Sequence, residues 1–222
     1  IWKDPVIVAT PVSAYDQDPS IVRIRNLSST GFEIRLQEYE HQDGVHGEET
    51  VGVLIMERGS YALEDGTRIE AGYFESNSNT SKIAHFNHTF SVTPVVTAGV
   101  LSENDTKAVV SRISDIGKTE FRHKLQEQQG SDNYHAPEEK IGYIAWEPSE
   151  GKINGMGYEV RRIEQGITHE STTIQFNQKF SSGPVLLADM QTMNDDDTAN
   201  VRYNMKTTSQ VNLWISEASS AD

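Results

Sequence analysis

The chain repeats itself about every 90 residues, and this period decides what it can fold into. Pro5-Val6-Ile7, Pro94-Val95-Val96 and Pro184-Val185-Leu186 lie 89 and 90 residues apart. Arg23, Arg112 and Arg202 keep those intervals, as do Phe32, Phe121 and Val211, and Glu38, Glu127 and Glu217. Phe86-x3-Phe90 returns as Phe176-x3-Phe180, and His46/His135, Glu49/Glu139, Gly52/Gly142 and Glu57/Glu147 recur in the same register. Repetition at fixed spacing is the mark of one supersecondary unit used in series. The register predicts three units: 1–75, without an opening Phe-x3-Phe; 76–168, complete; and 169–222, without the His-Glu-Glu-Gly part. The opening at Ile1-Trp2-Lys3, inside a strand approach, is expected of a piece of a longer protein.

Within a unit the periodicity is that of strands. Residues 21–25 and 32–38 alternate apolar and polar side chains around a Ser- and Gly-rich turn, which predicts a hairpin. Phe32, Ile34 and Leu36 are expected to face a core, and Glu33, Arg35 and Gln37 water. Residues 50–56 and 140–146 read as more apolar strands, with Gly52 and Gly142 marking a bulge or a close backbone approach. Short strands at this spacing predict an all-β fold of tandem antiparallel β-sandwich modules.

Composition narrows the function. A net charge of −14 argues against nucleic acid and an anionic membrane surface as partners. No apolar run approaches the ~20 residues of a membrane helix, so no membrane insertion is expected. With no cysteine, disulfides, thiolate nucleophiles and Cys-ligated zinc are excluded. There is no Gly-x-Ser-x-Gly elbow, P-loop or zincin helix, so no enzyme is expected.

The stretch Phe86-x3-Phe90-x3-Pro94-Val-Val96, then Val109-x2-Arg112, Phe121 and Ile141-Gly-Tyr-Ile-Ala-Trp-Glu147, resembles the H-type lectin domain of the snail agglutinins. The first unit repeats it through Pro5-Val-Ile-Val8, Val22-Arg-Ile-Arg25, Gly31-Phe32 and residues 51–57. The resemblance implies a six-stranded antiparallel sandwich, carbohydrate recognition and, often, oligomeric display. It also implies tandem modules of a large secreted bacterial protein, hence an extracellular location, with glycan or polysaccharide as the partner and homo-oligomer or neighbouring-module contacts besides. The family's sugar-holding Trp-His pair is replaced here by Tyr39-Glu40, Gln128-Gln129 and Ala218-Ser219.

Candidate sites follow. The loops 13–18, 102–106 and 193–198 carry carboxylates and amides suited to sugar hydroxyls or to Ca2+, and equally to turns. Asp16, Asp18, Asn104 and Asp105 are sugar-contact candidates, with Tyr39, Glu40, Gln128 and Gln129. Asp195, Asp196 and Asp197 form the candidate Ca2+ site. Trp214 takes the register of the outward Arg35 and Lys124, which suits stacking on a sugar or covering a neighbouring module; Trp2 is a further stacking candidate. Trp146 shares a face with Ile144 and reads as core. His46 with Glu48 and Glu49, and His135 with Glu138 and Glu139, are expected to form structural His–Glu hydrogen bonds. The recurring Glu38, Glu127 and Glu217 fit either backbone capping or a repeated ligand contact. A structural or adhesive spacer without a sugar site is the alternative to a lectin.

Overall fold

The computed structural model describes residues 1–77, 79–128, 135–164 and 166–218. Among these residues every regular element is a β-strand. The first repeat carries β1 (Pro5–Val8), β2 (Val12–Ser13), β3 (Ser20–Arg25), β4 (Glu33–Glu38), β5 (Leu54–Glu57), β6 (Gly59–Ala62) and β7 (Arg68–Ser76). The second carries β8 (Lys82–His85), β9 (Val95–Val100), β10 (Val109–Ser114), β11 (Glu120–Glu127), β12 (Glu139–Trp146), β13 (Ser149–Ile153) and β14 (Met156–Val160). The third carries β15 (Thr172–Gln175), β16 (Ala199–Asn204) and β17 (Gln210–Glu217).

One sandwich is complete. A four-stranded sheet, β6-β7-β12-β9, faces a three-stranded sheet, β10-β11-β8. Alternation along the strands turns Val96, Ala98 and Val100, Val109 and Ile113, Phe121 and Leu125, and Ile141, Tyr143 and Ala145 into a single core. Phe86 and Phe90, set four residues apart, meet edge to face at 4.9 Å in that core. The short edge strand β6 brings the count to one more than the six expected. The hydrogen-bonded sandwich also crosses the sequence boundary at 75/76, because β7 pairs with β12 from Ile69↔Trp146 to Ser76↔Glu139. The boundaries 1–75, 76–168 and 169–222 thus mark the period of the sequence, and the sheet is offset from it.

The hairpin appears where alternation placed it, β3 with β4, and the second repeat has its counterpart in β10 with β11. One expectation needs correction. Ile34 is 43% exposed, whereas Phe121 and Leu125 on the matching strand of the second repeat are buried. The cause is pairing: β4 has β3 alone beside it, while β11 lies between β10 and β8 with a facing sheet. Gly52 and Gly142 do mark close approach. A Cβ on Gly52 would sit 2.2 Å from the Leu186 carbonyl oxygen, and one on Gly142 2.5 Å from Leu101 Cδ1.

The repeats also touch in cyclic order. β16 of the third pairs in parallel with β2 of the first, Arg202 opposite Val12 and Tyr203 opposite Ser13. A buried cluster joins Ile21 and Tyr39 of the first repeat, Ala108 and Val110 of the second and Ala218 of the third. A second, Val6 and Val8 with Ile69, Ala71 and Ile144, packs β1 against the outer face of the complete sandwich.

Candidate functional site

The recurring arginines make the contacts between repeats. Each sits mid-strand beside apolar residues, so its stem is carried inward with them, and each is buried. A buried guanidinium requires acceptors, and each finds them in the acidic loop of another repeat. Arg23 of the first donates to the carbonyls of Lys107 (2.8 Å) and Asp105 (3.0 Å) in the second. Arg112 of the second donates to the carbonyl of Asp197 (2.7 Å) in the third. Arg202 of the third donates to the carbonyls of Ser13 (2.7 Å), Asp16 (3.1 Å) and Asp18 (2.9 Å) in the first. The sequence is thereby closed into a ring. Two recurring glutamines reinforce it: Gln37 donates to the Thr106 carbonyl at 2.7 Å, and Gln126 to the Asp196 carbonyl.

A glutamate shapes each of the first two loops. Glu49 accepts the N–H groups of Tyr15 (3.0 Å) and Asp16 (2.9 Å) and the Ser13 hydroxyl, and Arg202 reaches it at 3.0 Å. Glu139 accepts Asn104 N–H (3.0 Å), Asp105 N–H (3.1 Å) and the Ser102 hydroxyl, and Arg23 reaches it at 3.3 Å. The histidines extend the chain of bonds. His135 lies 3.1 Å from both Glu127 and Glu139; His46 lies 3.1 Å from Glu38 and 3.5 Å from Glu49. Burial pushes the Glu139 carboxyl up, but its hydrogen bonds from His135, Ser102, Asn104 and Asp105 outweigh that and bring it down to about 2. Burial pushes His135 down, and its bonds to Glu139 and Glu127 outweigh that and raise it.

The residues read from the sequence as sugar contacts therefore have other partners. Asp16, Asp105 and Asp195 close Asx-turns, accepting the N–H two residues on at 3.1, 3.0 and 3.3 Å. Asp18 offers its carbonyl to Arg202. The Asn104 side chain donates to the Glu138 carbonyl at 2.7 Å. Tyr39 is buried in the cluster between repeats. Glu40 and Gln128 are bonded to each other, through Glu40 N–H to Gln128 Oε1 (2.5 Å) and Gln128 Nε2 to Glu40 Oε2 (3.0 Å). Gln129 lies outside the described residues. Trp214 is half-buried, opposite Arg202 in the β16–β17 ladder. Trp146 packs with Ile144 and stands 5.2 Å from the Tyr158 ring. Trp2 stays 38% exposed.

The Asp195-Asp196-Asp197 side chains do not converge with others: among the described residues no group of three acidic or histidine side chains is placed to hold a metal ion. Asp196 is exposed and pairs with Lys124 at 3.2 Å. Three other recurring glutamates cap backbone. Glu38 accepts Gly44 N–H at 2.8 Å; Glu57 accepts Lys3 (2.7 Å) and Asp4 (2.9 Å); Glu147 accepts Arg68 (2.9 Å) and Ser91 (2.5 Å). Sequence reasoning noted the recurrence of Arg23, Arg112 and Arg202 but gave them no role. The available signal was a charge repeated on an otherwise apolar strand.

Fold and site together define an all-β repeat module whose conserved-in-register polar groups hold one repeat to the next. Over 227 residues the chain is 29% identical to halomucin of Haloquadratum walsbyi (strain DSM 16790 / HBSQ001). The match covers 97% of this chain and 2% of that protein, so the chain spans a small part of its relative's length. No family model matches the chain, and no solved structure matches it.

Proposed function

We propose that this chain is a structural spacer module of a very large extracellular surface protein, in which repeats are locked to one another rather than opened to ligand. The observation that carries the reading is the use of the acidic loops: their carbonyls and turns receive Arg23, Arg112 and Arg202 from other repeats. Length supports it as well. The 227-residue match is 2% of halomucin, so that relative is a very long polypeptide, and its name, a mucin's, supports an extracellular reading. The charge of −14 suits a hydrated, self-repelling surface.

The carbohydrate-binding reading keeps one observation in its favour. Tyr15 is 74% exposed at the tip of the first acidic loop, beside Asp16 and Asp18, where a ring is available for stacking. A glycan array of neutral and acidic polysaccharides, read with and without Ca2+, separates the two. The spacer reading expects no saturable signal in either condition. A saturable signal abolished by Tyr15→Ala would replace it with the lectin reading.

A further inference from the structure

The sequence carries four Asn-x-Ser/Thr triplets, at Asn26, Asn79, Asn87 and Asn104, none with proline in the middle. In a protein of the cell exterior this triplet is an acceptor for N-linked glycan. Transfer requires the side-chain amide nitrogen to leave its partners and the triplet to enter the active site of a transferase. The cost of doing so differs among the four places.

Two of the four are held by the fold. Asn87 donates to Glu70 through both its backbone N–H (3.0 Å) and its side-chain Nδ2 (3.1 Å). Glu70 is fully buried, so withdrawing Asn87 strips hydrogen bonds from a carboxylate that water does not reach. Asn104 donates its Nδ2 to the Glu138 carbonyl at 2.7 Å and its N–H to Glu139 at 3.0 Å. Arg23 fixes the same loop through the carbonyls of Asp105 and Lys107, so moving Asn104 outward disturbs the contact between the first two repeats. The other two lie at the surface. Asn26 is exposed in the turn between β3 and β4, and its Nδ2 donates to Glu33 at 2.8 Å. The Glu33 side chain is itself 56% exposed, so water replaces that bond at little cost. Asn79, Thr80 and Ser81 are all exposed and lie between β7 and β8, in neither ladder.

We propose that Asn26 and Asn79 are attachment sites for N-linked glycan, and that the fold withholds Asn87 and Asn104. The donor is an oligosaccharide carried on a lipid diphosphate, brought to the chain by a membrane-bound transferase. The amide nitrogen attacks the anomeric carbon of the donor sugar. A carbon–nitrogen bond forms, the carbon–oxygen bond to the diphosphate breaks, the lipid diphosphate leaves, and the amide gives up one proton to a base of the transferase. Neither asparagine supplies a carbonyl to Arg23, Arg112 or Arg202, so the ring stays closed when both are modified. This goes beyond the spacer reading, on which it rests for a place outside the cell; the glycan is carried by the chain, not recognised by it.

The test uses the full 222-residue folded chain, an oligosaccharyltransferase that requires only Asn-x-Ser/Thr, and a lipid-diphosphate-linked oligosaccharide. Peptide mapping by mass spectrometry reads the initial rate at each asparagine. Each rate is divided by that of a synthetic peptide spanning the same triplet, so that the quotient reads the fold and not the triplet. Glycan is expected at Asn26 and Asn79. The quotients at Asn87 and Asn104 should be about tenfold lower or less, the effect of one hydrogen bond to a charged group that must be broken first. Absence of glycan at Asn26 or at Asn79 in the folded chain would overturn the proposal, and so would equal quotients at all four sites. A positive glycan array with the expected pattern would remove the spacer reading and leave this one standing. A silent array with no glycan at either site would do the reverse.

Discussion

Arg202 and Glu49 lie 153 residues apart in the chain and meet at 3.0 Å, both buried. Taking two charges out of water costs free energy, and the pair persists because its remaining hydrogen-bonding groups are satisfied. Arg202 has the carbonyls of Ser13, Asp16 and Asp18, and Glu49 has two backbone N–H groups and a hydroxyl. Removing one partner leaves the other charged, buried and uncompensated. Glu49→Gln and Arg202→Met should each cost about 3–5 kcal/mol in urea-induced unfolding. The double variant should lose less than the sum, since the two residues act on one network.

The Glu139–His135–Glu127 chain makes stability depend on pH. Glu139 lies below its ordinary 4.5, at about 2, so its contribution is full above 4.5 and is lost as the pH falls toward 2. His135 is raised above 6.5, so its contribution is full below 6.5 and is lost as the pH rises through its folded value. Together they favour the window between 4.5 and 6.5. His123 acts the other way: burial pushes it down to about 4, which costs stability as the pH falls below 6.5. The comparison is therefore between variants. Relative to wild type, His135→Gln should flatten the decline of thermal stability above pH 6.5 and leave the His123 effect in place.

Tyr39 carries its hydroxyl into the cluster between repeats, where the oxygen is buried and has no hydrogen-bond partner among the described residues. An unsatisfied buried polar group costs about 1–3 kcal/mol. Tyr39→Phe should therefore raise the midpoint of denaturation, while Tyr39→Ala should lower it by opening a cavity. A destabilised Tyr39→Phe protein would show that the hydroxyl has a partner.

The two strand glycines should differ in tolerance. A Cβ at position 52 meets a backbone carbonyl, which cannot move alone; one at position 142 meets the end of the Leu101 side chain, which can rotate. Gly52→Ala should cost more than the ~1–3 kcal/mol usual for overpacking, and Gly142→Ala should fall within it. Denaturant midpoints of the two variants check the order.

Local structure was legible because it depends on local pattern. Alternation in 21–25 and 32–38 gave the β3–β4 hairpin, and Gly52 gave a close approach. His46 and His135 bond glutamates as expected. What was hidden depends on partners far along the chain. The exposure of Ile34 follows from what lies opposite β4, and the pairing of β7 with β12 crosses the period of the repeat. The acidic loops looked available for a ligand because Asp and Asn serve turns and ligands alike. The arginine that reaches the loop carbonyls from another repeat is a partner that no local pattern shows.

The central claim is that an arginine in one repeat holds the loop of another. Amide hydrogen exchange of Arg23→Met and Arg202→Met measures this directly. The ring predicts that Arg202→Met, in the third repeat, accelerates exchange at Tyr15 and Asp16 in the first. It predicts that Arg23→Met, in the first, accelerates exchange at Asn104 and Asp105 in the second. Loosening confined to the mutated repeat itself, with the loop of the other repeat unchanged, would contradict it.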